Sequence, residues 1–251
     1  MHAEVSSTQT EEFYNNAVSY WSEVPATIDG MLGGFGHISE TDIRSSRMLL
    51  KQLFHSKVPP GREYALDCGA GIGRISKFLL TNLFNKVDMV EQNSCFLQAA
   101  KSYLGPSIVE SKIGQMFSEG LQTFEPELGK YDVIWVQWVL GHLTDDDFVK
   151  FFKSCQKGLK PNGVIVAKEN ITSSDDIEVD EKDSSVTRPL SLLKLLFEKA
   201  NLDCYRLVKQ INFPKGLYTV YMFVLKPKKS TDGSDSLNKS NTPEDAKNAE
   251  N

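Results

Sequence analysis

The stretch LDCGAGIGR at residues 66–74 constrains the fold more than any other part of the chain. An apolar run, Tyr64–Cys68, leads into it, and a pattern of helical spacing over 73–84 leads out. Gly69, Gly71 and Gly73 fall within five residues, so a strand-to-helix turn must bring bare backbone close to whatever lies above it. Two common uses of such a turn do not fit. A P-loop needs GxxxxGK[ST], and the chain contains no Gly-Lys-Ser/Thr. A dinucleotide loop needs GxGxxG; Gly69 and Gly71 satisfy it, but Arg74 occupies the third position and the extra glycine comes one residue early, at Gly73.

The rest of the chain extends this unit by alternation. Strands are expected at Tyr64–Cys68, 86–91, 113–118, Tyr131–Gln137 and 163–170, with helices at 73–84, Ser94–Leu104, 145–159 and 190–200. Residues 204–211 and 218–225 read as a terminal antiparallel pair. Strands alternating with helices of this length indicate βαβ units around a mostly parallel sheet. Ligands in such sheets lie beyond the carboxyl ends of the strands, which nominates the residues after Cys68, Glu91, the 137–142 segment and Asn170. The stretch 12–55, with two helical patterns around GMLGGFGH, stands outside the unit as a cap. With 251 residues, 40% of them apolar, the chain suits one domain over 12–225, its core at 62–225. Residues 1–11 are expected to be loose, and 226–251, with no aromatic residue, to form a disordered tail.

Composition narrows the partners. A net charge of −5 argues against nonspecific binding to nucleic acid, and no apolar run is long enough for a membrane span. The four cysteines form no CxxC pair and the four histidines have no ligand spacing, so reduced thiols, an intracellular setting and no metal are expected.

The pattern D-x-G-x-G-x-G, Asp67 through Gly73, resembles the first motif of class I methyltransferases that use S-adenosylmethionine (SAM). This cofactor has no phosphate, and the glycine backbone passes close to its methionine and ribose parts. Glu91, at the end of the second strand, suits the ribose hydroxyls because a carboxylate accepts from both. The Asn/Asp-Pro-Pro-aromatic motif of base-N methyltransferases is replaced by VQWVLGH at 136–142, and no cysteine follows a proline as a cytosine-C5 enzyme would need.

YWSEVPATIDGMLGGFGHIS (20–39), ALDCGAGIGRI (65–75), YDVIWVQWVLGHLTD (131–145), KENI (168–171) and VDEKDSSVTR (179–188) resemble the protein α-N-terminal methyltransferases, over roughly residues 12–225. The resemblance implies a Rossmann-like α/β fold, with a seven-stranded sheet ending in an antiparallel strand and a helical cap. It also implies methylation of the α-amine of protein chains beginning Xaa-Pro-Lys after Met removal, in the nucleus and cytoplasm. Methyl transfer needs a neutral amine; an α-amine, with a pKa of about 8 against about 10 for lysine, is far easier to deprotonate near neutrality. The resemblance gives His142 and Asp183 as proton acceptors and Asn170 as the group that orients the amine. A carboxylate also raises the pKa of a neighbouring amine, which gives Asp183 a positioning role as well. Trp138 offers an indole face to a proline ring. Trp21 closes over the site, Leu32 and Ile38 complete an apolar slot, and Tyr218 reaches the peptide backbone. Asp180, Asp183 and Ser185 face the substrate, carboxylates suiting the lysine at position three. Arg74 takes the SAM carboxylate, while Gln137 and the backbone of Gly120 and Leu121 hold the adenine. Two readings of the same fold compete: a methyltransferase for a small-molecule amine or hydroxyl, and a noncatalytic SAM-fold partner.

Other polar residues have plainer uses. Thr144 is placed to cap a helix whose first turn holds Asp145, Asp146 and Asp147. Asp175, Asp176, Glu178 and Glu181, four of six acids in nine residues, read as solvated. Two departures from the family pattern stand out: Glu91 where Asp is more usual, and Lys182, a cation within the acidic segment.

Overall fold

A computed structural model describes residues 7–228. Its centre is a seven-stranded sheet in the order β3-β2-β1-β4-β5-β9-β8. The strands are β1 (Tyr64–Cys68), β2 (Lys86–Val90), β3 (Ile113–Phe117), β4 (Tyr131–Gln137), β5 (Leu159–Ile171), β8 (Leu202–Lys209) and β9 (Thr219–Pro227). Strands β1 to β5 pair in parallel, and β9 runs antiparallel to both its neighbours, β5 and β8. The expected terminal pair is therefore folded into the sheet, with β9 inserted between β5 and β8.

Every residue of β4 is buried, because both faces of the sheet are covered. Its side chains alternate between two cores. Ile134 and Val136 join Phe148, Phe152 and Phe197 from α7 (Asp145–Gly158) and α8 (Leu190–Lys199). Val133 and Trp135 join Leu49, Leu50 and Leu53 from α3 (Ser39–Phe54), with Leu97 and Ala100 from α5 (Ser94–Leu104). The connection order reverses between β1 and β4, so the carboxyl ends of these strands open a crevice.

Several boundaries differ from expectation. The helix expected at 73–84 ends early: α4 spans Arg74–Phe78 and a 3-10 turn follows at Leu80–Asn82. The carbonyl of Lys77 there accepts from the side chains of Thr81 and Asn82, which satisfies the end of α4. A further helix, α6 (Pro106–Lys112), starts at a Gly-Pro step, with Gly105 at φ 87° and the proline in the first turn. The N-terminal cap begins earlier than expected: α1 covers Ser7–Glu23, so residues 7–11 are helical. A short helix, α2 (Ile28–Met31), and a 3-10 turn, Gly36–Ile38, lead from it to α3. Residues 226–228 are also ordered, Lys226 and Pro227 within β9; the remainder of the expected tail lies outside the described residues. The acidic segment, expected as a loop, forms a hairpin of β6 (Glu178–Asp180) and β7 (Ser185–Thr187). No helix among the described residues is long and apolar enough to cross a membrane, and none of their His, Cys, Asp and Glu side chains form a group of three or more that could hold a metal.

Candidate active site

Two clefts meet above the carboxyl ends of β1, β4 and β5, and Trp21, Met31, Trp138 and His142 line both. The first surrounds the glycine loop. Gly69, Gly71 and Gly73 all have positive φ, where L side chains are strained. A Cβ on Gly69 would lie 2.7 Å from Val139, and one on Gly71 2.6 Å from Met31 Sδ. The backbone N–H groups of Gly69 and Ala70 donate to the Val90 carbonyl, tying the loop to β2. Glu91 Oε2 accepts from the Gly71 N–H and Oε1 from the Asn93 N–H, both at 2.9 Å. The extra methylene of Glu91 thus still brings its carboxylate to the loop, and burial raises its pKa. Asp67 is buried at the end of β1, where its Oδ2 accepts from Ser76 at 2.7 Å and burial pushes its pKa up to about 6. Gly120 and Leu121 line the same cleft from the segment after β3.

Arg74 and Gln137 also line this cleft, and both reach Asp42 on α3. Arg74 is 5% exposed, a buried cation rather than a surface charge. Its Nη1 lies 2.7 Å from Asp42 Oδ2. Gln137 Nε2 donates to Asp42 Oδ1 and its Oε1 accepts from Trp135 Nε1, both at 2.9 Å. Their shared partner places the Gln137 amide beside Arg74.

The second cleft is bounded by Leu32, Ile38, Trp138, Asn170, Asp180, Asp183, Ser185 and Tyr218, all anticipated from sequence. Leu32 and Ile38 are buried beside the α2 turn, and Phe213, Leu217 and Val220 add apolar wall that the sequence did not reveal. Trp138 follows β4 with φ 53°, a rare conformation for a bulky residue, and its N–H donates to the Lys168 carbonyl at 3.0 Å. Its indole Nε1 is buried without a hydrogen-bond partner, and so is Asp183 Oδ1. Orphaned buried polar atoms are uncommon, and two in one cleft mark where a ligand's polar atoms fit.

His142 differs. Its Nε2 accepts from the Trp21 indole N–H at 3.0 Å, and its Nδ1 lies 3.3 Å from the Ser184 carbonyl. These partners fix the tautomer with the proton on Nδ1 and occupy the lone pair of Nε2. Burial lowers its pKa against the opposing pull of Asp183, so the ring is neutral at neutral pH. Of the two expected proton acceptors, His142 has its Nε2 lone pair engaged and Asp183 has an oxygen without a partner. Tyr218 donates to the carboxylate of Glu178 in an exposed contact. Lys182 places its ammonium 5.9 Å from the ring centroid of Tyr20, outside the lining of the cleft. Thr144 caps α7 as expected, accepting from the Asp147 N–H.

Glu169 and Asn170 stand together at the end of β5. Both oxygens of Glu169 accept backbone N–H groups, from Leu140 and Asn170, and burial raises its pKa to about 7. Arg188 grips the same turn from the other side, donating to the carbonyls of Leu140 and Leu143.

This sheet and its glycine-loop cleft define a class I SAM-dependent methyltransferase. A solved SAM-dependent methyltransferase from Leishmania major superposes with a TM-score of 0.79 at 39% identity, over 85% of this chain and 83% of that one. Residues 9–226 match the profile of the AdoMet dependent proline di-methyltransferases, and the chain belongs to that family. It is 49% identical over 217 residues to N-terminal Xaa-Pro-Lys N-methyltransferase 1 of Xenopus tropicalis, covering 86% of this chain and 96% of that protein. It is 46% identical over 217 residues to the Homo sapiens protein of the same name, again covering 86% and 96%.

Proposed function

We infer that this chain transfers methyl groups from SAM to the α-amine of proteins whose N-terminus reads Xaa-Pro-Lys. When bound, SAM supplies an electrophilic methyl group on a sulfonium. The glycine loop, Asp67 and Glu91 hold its ribose side, and Arg74 with Gln137 its amino-acid end. The substrate's proline packs on Trp138 between Leu32 and Ile38, and Asp180 with Ser185 receives the lysine at position three. Asn170 orients the amine.

The observation that carries the assignment of roles is the buried, partnerless Oδ1 of Asp183 in a cleft that shares Trp21, Trp138 and His142 with the cofactor cleft. This oxygen would take the N–H proton that the amine gives up on methylation. His142, neutral and anchored by Trp21, holds the wall beside it. Ser-Pro-Lys and Ala-Pro-Lys peptides incubated with SAM are expected to gain mass in methyl steps, and acetylation of their α-amine to abolish the gain. Methylation that persists on the lysine of acetylated peptides contradicts the assignment.

A further inference from the structure

Below the cofactor cleft lies a group of buried charges that these steps leave out. Lys168, near the end of β5, is fully buried, and its Nζ is surrounded by oxygen: Asp42 Oδ1, Gln210 Oε1 at 2.7 Å, Ser46 Oγ at 3.0 Å and the Asp42 carbonyl at 3.3 Å. The amide of Gln210 donates through Nε2 to Ser45 Oγ and the Ile211 carbonyl, which turns its Oε1 toward Lys168. Direct contact with the Asp42 carboxylate favours the ammonium form of Lys168 against the opposing pull of burial.

Asp42 is the hub. Its Oδ1 faces Lys168 and Gln137, and its Oδ2 faces Arg74. The mutually bonded set thus holds two cations, one anion and otherwise neutral groups, in an interior where excess charge is expensive to bury. Arg74 is the cation of this set that lines the cofactor cleft; Lys168 does not reach it. Were Lys168 neutral, Arg74 and Asp42 would form a closed ion pair with no charge left over. With Lys168 charged, Asp42 is already balanced, and the positive charge of Arg74 remains available to an anion in the cleft.

We propose that Lys168 is a positioning residue for the cofactor: by neutralising Asp42 through their direct contact, it keeps the charge of Arg74 free for the SAM carboxylate. The proposal rests on the assignment of the glycine-loop cleft to SAM, and its test separates the two. Isothermal titration of the full chain uses two nucleosides that share the adenosine thioether, S-adenosylhomocysteine, which carries the carboxylate, and 5′-methylthioadenosine, which does not. Lys168→Met is expected to weaken S-adenosylhomocysteine about tenfold and 5′-methylthioadenosine less than about twofold, since only the first presents an anion. Lys168→Gln, which keeps a donor for Asp42 without the charge, should reproduce that ratio if the methionine variant does not fold. Equal weakening of both ligands would make Lys168 a purely structural residue and overturn the proposal, as would no weakening of either. Failure of the unmodified chain to bind either nucleoside would instead remove the cofactor assignment itself.

Discussion

The cofactor cleft and the substrate cleft share a wall, yet they are built in opposite ways. Around the glycine loop the polar groups already have partners within the chain: Asp67 on Ser76, Glu91 on two backbone N–H groups, Arg74 on Asp42. Across Trp138, Asp180 is exposed, Tyr218 is 44% exposed, and two buried polar atoms lack partners. A cofactor is the same molecule at every turnover, so its site gains from being assembled in advance. A protein N-terminus varies at its first residue and has a whole protein attached, so its site must stay open. What the chain withholds from the second cleft is the set of hydrogen bonds that only a substrate brings.

The contrast can be broken at four places, taken here from the largest expected effect down. Asp183→Asn removes the free acceptor and should lower kcat by roughly a hundredfold or more, with S-adenosylhomocysteine affinity within about twofold by titration. A parallel loss of cofactor affinity would show that the two halves are not separable.

Asp67→Asn should move the other half. Asp67 has a pKa of about 6 in the fold against the ordinary 3.8, so the folded chain holds this proton more tightly than the unfolded chain. Its ionised form therefore destabilises the fold at neutral pH, and the penalty fades as pH falls through that raised value. The asparagine variant should be more stable at pH 7 by about 1–3 kcal/mol in denaturant titration and bind cofactor more weakly. Unchanged stability between pH 7 and pH 4 contradicts the burial argument.

Asp180→Asn should raise the KM for Ser-Pro-Lys peptides about tenfold, leaving kcat nearly unchanged, because an exposed carboxylate contributes to binding rather than chemistry. Substituting the peptide's lysine by norleucine should erase the difference between variant and parent. Trp21→Phe carries the smallest effect. It frees Nε2 of His142, so protonation of the ring no longer breaks a hydrogen bond. The acid limb of the kcat/KM profile should shift to higher pH, with turnover at pH 7 down about threefold. An unmoved profile would mean that the Trp21 contact does not govern this histidine.

The two halves also differed in how much the sequence revealed. The cofactor loop is contiguous, and its glycines, Asp67 and Glu91 announce their spacing without reference to anything distant. The residues proposed for the substrate became readable mainly through family resemblance: Trp21 and Asp183 carry no local pattern of their own, and only Asn170 was nominated by its place at a strand end. What neither route supplied are pairings across the fold. Asp42 and Lys168 lie 126 residues apart, and Trp21 and His142 lie 121 apart. Such contacts appear only when α3 and α1 have docked on the sheet. The partner of the His142 lone pair is one that spacing does not disclose. The Gly-Pro start of α6 was legible and passed over, whereas the early end of α4 depends on side-chain bonds to one carbonyl.

Central to the whole description is the location of the reacting nitrogen. A crystal structure with S-adenosylhomocysteine and a Ser-Pro-Lys peptide measures it directly. The peptide's α-nitrogen should lie within about 3 Å of Asp183 Oδ1, on the side facing the sulfur, with its proline on Trp138. An α-nitrogen lodged beside Asp180, with the lysine ammonium turned toward the sulfur, would contradict it.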